Sequence, residues 1–123
     1  MRALVIDDSR TTRAILGKML RDLGFEVHEA GNGCEGLEQL RQLGPVDVAL
    51  VDWNLPVMNG IEFVRSVRAE PAYAAMRLMM VTTETEREQV SRALQEGANE
   101  YVMKPFTRDV IAAKLTLLNV SPW

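Results

Sequence analysis

The sequence predicts an α/β fold: five βα units, doubly wound around a five-stranded parallel sheet. Three observations lead there. Short apolar or β-branched runs alternate with amphipathic stretches of about a dozen residues. The runs are mostly continuous rather than alternating, as strands covered on both faces require. No linker, repeat or low-complexity segment breaks the alternation, so residues 1–123 are expected to form one domain.

The apolar runs are Ala3–Ile6, Phe25–Ala30, Val46–Val51, Leu78–Val81 and Tyr101–Met103. The second, with Glu26, His28 and Glu29 mixed in, reads as an edge strand. After the first run, Ile15, Met19, Leu20 and Leu23 recur at helical spacing, with Ser9 as N-cap and Gly24 just past the end, a helix of about 14 residues. Leu37, Leu40 and Leu43 mark the second helix, stopped by Gly44-Pro45, and Ile61, Val64 and Val67 the third, ended before Pro71. A fourth is expected from Glu86 to Glu96, with Val90 and Leu94 inward and Gly97 closing it. The fifth starts near Thr107, turns Ile111, Leu115 and Leu118 inward, and is expected to run almost to Trp123.

Composition narrows the class. The chain of 123 residues carries 17 acidic and 14 basic side chains, a net charge of −3, with 47% hydrophobic residues, an ordinary profile for a soluble globular domain. The single cysteine, Cys34, excludes an internal disulfide and a cysteine-based zinc cluster, and fits a reducing compartment. His28 is the only histidine, so a Ser/His/Asp triad or a His-ligated metal would rest on it alone; on an edge strand it reads as a surface residue. No apolar stretch approaches the length of a membrane span, and the start lacks a signal peptide's apolar middle, so the expected location is the cytoplasm. No Lys/Arg run provides a footprint for nucleic acid.

The polar residues that stand out all follow the runs: Asp7 and Asp8 the first, Asp52 the third, Thr82 the fourth, Lys104 the fifth. In an open parallel sheet these positions share one edge, where ligands bind at the carboxyl ends of the strands. Any one Asp there commonly caps a helix or starts a turn; the set points to a site. Three carboxylates in one cleft repel unless a cation joins them. Oxygen ligands of this kind suit Mg²⁺, which takes a couple of carboxylates and accepts phosphate oxygens. Lys104, one of only three lysines against eleven arginines, brings a compact ammonium, and Thr82 a hydroxyl donor. Together they describe phosphoryl transfer through an acyl-phosphate nucleophile.

These residues carry a family resemblance over essentially the whole chain. Val5-Ile6-Asp7-Asp8-Ser9, Val51-Asp52-Trp53-Asn54-Leu55-Pro56 with Met58-Asn59-Gly60, Val81-Thr82-Thr83-Glu84, and Gly97-Ala98 through Tyr101 to Lys104-Pro105-Phe106 resemble, in order and spacing, the receiver domains of response regulators, most closely the single-domain chemotaxis type. The resemblance implies a flavodoxin-like sheet in the order 2-1-3-4-5. It makes Asp52 the phosphoacceptor, charged by a histidine kinase. Asp7, Asp8, Asp52 and the backbone carbonyl of Asn54 become the Mg²⁺ ligands, and Thr82 and Lys104 the contacts of the phosphoryl group, with Lys104-Pro105 cis. Tyr101 is similar to the aromatic switch that moves inward with Thr82. Asn54 and Glu84 occupy variable positions that tune dephosphorylation; both are polar, which argues for a short-lived signal. Output would run through the fourth helix, fifth strand and fifth helix to an effector or a histidine phosphotransfer protein. Beyond its own phosphorylation and dephosphorylation, no enzyme activity is expected.

Rival readings stay in view. The chain could be a relay intermediate or the receiver portion of a longer regulator. A Mg²⁺-dependent aspartyl phosphohydrolase would use similar chemistry, but places a second Asp as general acid where Asn54 stands. A flavin site would need a glycine- and hydroxyl-rich loop where Asp7-Asp8 lie, and no P-loop is present. Thr83 is bulkier than the residue frequent there in the family and could limit Tyr101, and Asn59 replaces a common Asp, a change expected to affect only the turn. Cys34 reads as a passive small residue, Met79, Met80 and Met103 as core filling, and Met58 as packing over the site. Arg87 and Arg92, with Glu86, Glu88 and Glu96, form a mixed charged face on the fourth helix.

Overall fold

The computed structural model describes residues 1–83 and 89–123. Glu84, Glu86, Arg87 and Glu88, and with them the expected start of the fourth helix, lie outside the described residues. The elements alternate as β1 (Arg2–Ile6), α1 (Arg10–Asp22), β2 (Glu26–Ala30), α2 (Gly33–Leu43), β3 (Val48–Asp52), α3 (Gly60–Arg68), a 3₁₀ turn at Pro71–Tyr73, β4 (Arg77–Thr82), α4 (Val90–Glu96), β5 (Glu100–Met103) and α5 (Arg108–Leu117). The five strands pair in parallel in the order β2-β1-β3-β4-β5, the order the resemblance implied.

Alternation of side chains along each strand builds two cores. Leu4, Ile6, Ala49, Val51, Leu78 and Met80 face one way, under α2, α3 and α4, where Phe63, Val64 and Val67 meet them. Ala3, Val5, Leu50, Met79, Val81 and Val102 face the other, under α1 and α5, against Leu16, Leu20, Ile111 and Leu115. On the first face α2 comes close enough that a Cβ at Gly36 would lie 2.5 Å from Ile6 Cδ1, so any larger residue there would force the Ile6 side chain to move. β2 is an edge strand, with His28 half-buried and its ring nitrogen 2.8 Å from Glu26 Oε2. Cys34 is exposed.

Helices α1, α2, α3 and α5 start where side chains take up their free N–H groups. Ser9 accepts from Thr12 N–H, Asn32 from Glu35 N–H and Thr107 from Val110 N–H. Asn59 does more than shape a turn: it accepts from Glu62 N–H while Glu62 accepts from the Asn59 N–H, a capping box that fixes the start of α3.

Four expectations need correction. Ile15 and Leu94 do not point inward but are 48% and 41% exposed. Leu16 joins Leu20 on the inner stripe of α1 in place of Ile15, and Ala93 replaces Leu94 on that of α4, each one position, about 100°, round the helix. Met103 is only half-buried, because β5 is the other edge of the sheet. α5 stops at Leu117 rather than running towards Trp123. Asn119 turns left-handed there (φ 60°), and Val120 N–H donates back to Leu115 O at 3.0 Å, tucking the Val120 side chain into the core.

Candidate functional site

Sheet register brings the site together. Ile6 pairs with Val51, Asp52 with Val81, and Thr82 with Met103, so the strands end level along one edge. Asp52 and Thr82 are the last residues of β3 and β4 rather than the first beyond them; Asp7 follows β1 directly and Lys104 follows β5. Gly60 lets α3 begin against this edge, since a Cβ there would sit 3.0 Å from the Asp52 carbonyl oxygen and 2.8 Å from Met80 Cε.

Asp7 is 1% exposed and held tightly. Its N–H donates to Ala30 O, its Oδ1 accepts from Ser9 N–H at 2.8 Å, and its carbonyl accepts from Arg13 Nη1 at 2.6 Å. Oδ2 of the same carboxylate is buried and, among the described residues, accepts no hydrogen bond, with Lys104 Nζ 3.7 Å away. Asp52 is 7% exposed, its Oδ1 3.6 Å from Lys104 Nζ and accepting from Asn54 N–H at 3.4 Å. Asp8 completes the cluster from an exposed position: one carboxylate oxygen of each of Asp7, Asp8 and Asp52 lies within 4.8 Å of the others. Thr82 is buried, its hydroxyl donating to Thr83 O at 3.2 Å, and Lys104 N–H donates to Thr82 O at 2.7 Å. The Lys104-Pro105 peptide is cis.

Among the described residues one ammonium faces three carboxylates, and a buried carboxylate oxygen without a hydrogen bond costs free energy until a cation meets it. The donor set therefore fits a hard divalent cation: oxygen-only, mostly carboxylate, and open to water through Asp8. Trp53 is buried beside Asp52, and Asn54 is exposed at the cleft. Val57, in the loop leading to α3, is left-handed (φ 68°) and 82% exposed, and Met58 packs against the first core and over Gly33. Glu84 lies outside the described residues. Tyr101 is half-buried on β5, the strand that Lys104 follows, at the margin of the first core and outside the acidic cluster.

Residues 3–116 match the family model of the response regulator receiver domain. The chain belongs to the response-regulator receiver family. It is 46% identical over 116 residues to a chemotaxis protein CheY homolog of Campylobacter jejuni, spanning 94% of this chain and 89% of that one. It is 42% identical to the chemotaxis protein CheY of Pseudomonas aeruginosa, over 94% and 93% of the two chains. Among solved structures, the chemotaxis response regulator CheY4 of Vibrio cholerae superposes with a TM-score of 0.87 at 35% identity, covering 95% of this chain and 97% of that one. This is a receiver domain of the CheY type, and membership brings phosphorylation-dependent signalling with it. Among the described residues, no helix is long and apolar enough to cross a membrane.

Sequence reasoning missed several residues of the receiver. Arg13 braces the Asp7 backbone and pairs with Glu29 at 3.5 Å. Lys114 lies over the Tyr101 ring, and Arg68 ties together the α3–β4 and α4–β5 connections at the far end of the sheet. Such side-chain contacts between distant segments leave no periodicity in a sequence; the only trace of Lys114 is its rarity as a lysine.

Proposed function

We propose that this receiver is a phosphorylation-controlled switch: Asp52 accepts a phosphoryl group from the phosphohistidine of a histidine kinase, and the change is read by another protein. The observation that supports it most is the Asp7, Asp8 and Asp52 cluster with Lys104 Nζ between two of its members. An Asp52 carboxylate oxygen attacks phosphorus as the P–N bond breaks, the electron pair leaving with the imidazole. The Lys104 ammonium, 3.6 Å from Asp52 Oδ1, is placed to offset charge on the phosphoryl oxygens. Asp7, Asp8 and Asp52 would hold Mg²⁺, with the Asn54 carbonyl as a further ligand; bound there, the ion lets the three carboxylates stay ionised together and neutralises charge on the transferred group.

Thr82 turns its hydroxyl to Thr83 O in this structure. A phosphoryl group on Asp52 offers that hydroxyl a stronger, charged acceptor. Movement of Thr82 opens space for Tyr101, and the population shift appears on the face made by α4, β5 and α5, where an effector or a histidine phosphotransfer protein would dock. Asn54, with Glu84, sets the access of hydrolytic water and favours a short-lived signal. The reading gives the protein no turnover of an external substrate: Asn54, two residues past the nucleophile, has no proton to give as a general acid. A chain acting as a relay intermediate, or joined to further domains in a longer regulator, would use the same site. The setting proposed is the cytoplasm, without nucleic acid or membrane as a partner.

Intact-mass measurement after incubation with acetyl phosphate tests this. A single phosphoryl gain is expected in the presence of Mg²⁺, with none in Asp52→Asn and none in EDTA. No gain in folded wild-type protein would overturn the proposal, and repeated release of inorganic phosphate from an aryl phosphate would favour the hydrolase.

A further inference from the structure

We propose that Lys114 is a positioning residue for the aromatic switch, its ammonium anchored by Glu100 and holding the Tyr101 ring in the half-buried setting seen here. The inference rests on the reading of Tyr101 as the group that carries phosphorylation to the output face. Glu100 and Tyr101 are consecutive in β5, so their side chains leave the sheet on opposite faces. Val102 shows which is which: it packs in the core under α5, so Glu100 emerges on that side, while Tyr101 packs against the core under α4.

Because β5 is the edge of the sheet, a long side chain from α5 can reach round it. Lys114 does so. Its Nζ lies 3.2 Å from Glu100 Oε1 and 4.8 Å from the centroid of the Tyr101 ring. The same Glu100 oxygen accepts from the Tyr101 N–H at 2.9 Å. One carboxylate oxygen thus holds both the backbone that carries the ring and the cation that lies over it.

Shielding sets this contact apart from an exposed ion pair such as Arg41–Glu38. Lys114 and Glu100 are 26% and 21% exposed, against 65% and 58% for Arg41 and Glu38, so solvent and salt screen the pair less. Lys114 also sits in the last turn of α5, where the helix dipole favours a cation. A cation over an aromatic face is attracted by the ring quadrupole. An interaction made in only one position of the ring biases the equilibrium by its full strength. At a partly exposed site that is about a two- to fivefold change in the population ratio.

The test uses protein labelled with ¹³C-tyrosine, where the only other tyrosine is Tyr73. In wild-type protein the Lys114 methylene protons nearest the ammonium are expected to resonate upfield through the ring current, and to return to ordinary positions in Tyr101→Leu. Titration with beryllofluoride and Mg²⁺ then reads the switch through the Tyr101 ring resonances. Lys114→Gln and Glu100→Gln are each expected to shift the ring towards its beryllofluoride-bound position and lower the titration midpoint about two- to fivefold. Lys114→Arg should retain wild-type behaviour, and the double variant should go no further than Lys114→Gln alone. Unchanged ring resonances and midpoint in Lys114→Gln would overturn the positioning role while leaving the switch intact. A wild-type ring that stays still although ¹⁹F spectra show beryllofluoride bound would overturn the switch reading itself, and the proposal with it.

Discussion

Arg68, the last residue of α3, donates from Nη2 to Asn99 Oδ1 at 2.8 Å, joining segments 31 residues apart in the chain. Asn99 passes the contact on, because the same oxygen accepts from Leu78 N–H at the start of β4. The remaining guanidinium hydrogens go to the carbonyl oxygens of Gly97, Tyr73, Ala74 and Met76. No carboxylate takes part in this set, and burial, with a smaller contribution from Arg77, lowers the pKa of the guanidinium from its usual value. Arg68→Met is expected to destabilise the receiver by about 2–4 kcal/mol, since it strands several carbonyls at once. Arg68→Lys should recover only part of that, because one ammonium cannot span five acceptors. Urea unfolding midpoints of the two variants check both statements.

At Gly36 the constraint is volume. A methyl there would press on Ile6 Cδ1, so Gly36→Ala should cost about 1–3 kcal/mol. Ile6→Val removes the offending carbon. In a double-mutant cycle followed by urea unfolding, the pair should therefore be less destabilised than the sum of the single changes.

The acidic cluster makes a prediction about charge. Asp8 is the exposed member, close to Asp7 and Asp52, and it forms no ion pair among the described residues. In EDTA, Asp8→Asn should raise stability by about 1 kcal/mol by relieving like-charge repulsion. With excess Mg²⁺ the order should reverse, because wild type gains binding free energy that the variant largely lacks. Thermal melts of both proteins with and without Mg²⁺ read the crossing.

Glu96 at the end of α4 links it to α3. A hydrogen bond from Arg65 at 2.9 Å, helped by the charges of Arg65 and Arg92, holds its carboxyl below the ordinary value of 4.5. A depressed folded-state pKa contributes stability that is present above the unfolded value and lost as pH falls through the folded one. Wild type should therefore exceed Arg65→Gln at neutral pH, with the gap closing as pH falls through and below the ordinary carboxyl value of 4.5. Denaturant unfolding across that range measures it.

Much of this was legible in the sequence because the fold repeats one signal. Continuous apolar runs mark strands covered on both faces, and the residues that end or follow them (Asp7, Asp52, Thr82 and Lys104) converge once the strands lie parallel and in register. The helix stripes were less secure: Ile15 and Leu94 look apolar enough to be core, but neighbours one position away do the packing. The end of α5 was missed because Leu117 and Leu118 continue the apolar pattern past the point where Asn119 reverses the backbone. Arg68 and Lys114 were invisible for a different reason. Their partners are backbone carbonyls, the Asn99 and Glu100 side chains and the Tyr101 ring, brought close only by tertiary structure.

The parallel sheet also governs when the site can exist. Asp7 and Lys104 stand at nearly opposite ends of the chain, and their 3.7 Å approach depends on β1, β3, β4 and β5 all being paired. Without hairpins, none of these pairings is local, and each must close a long loop before any contact rewards it. A ribosome therefore releases the acidic residues well before the lysine that opposes them. Until β5 docks, the growing chain carries these carboxylates without the Lys104 ammonium, so their mutual repulsion is least offset before the fold is complete.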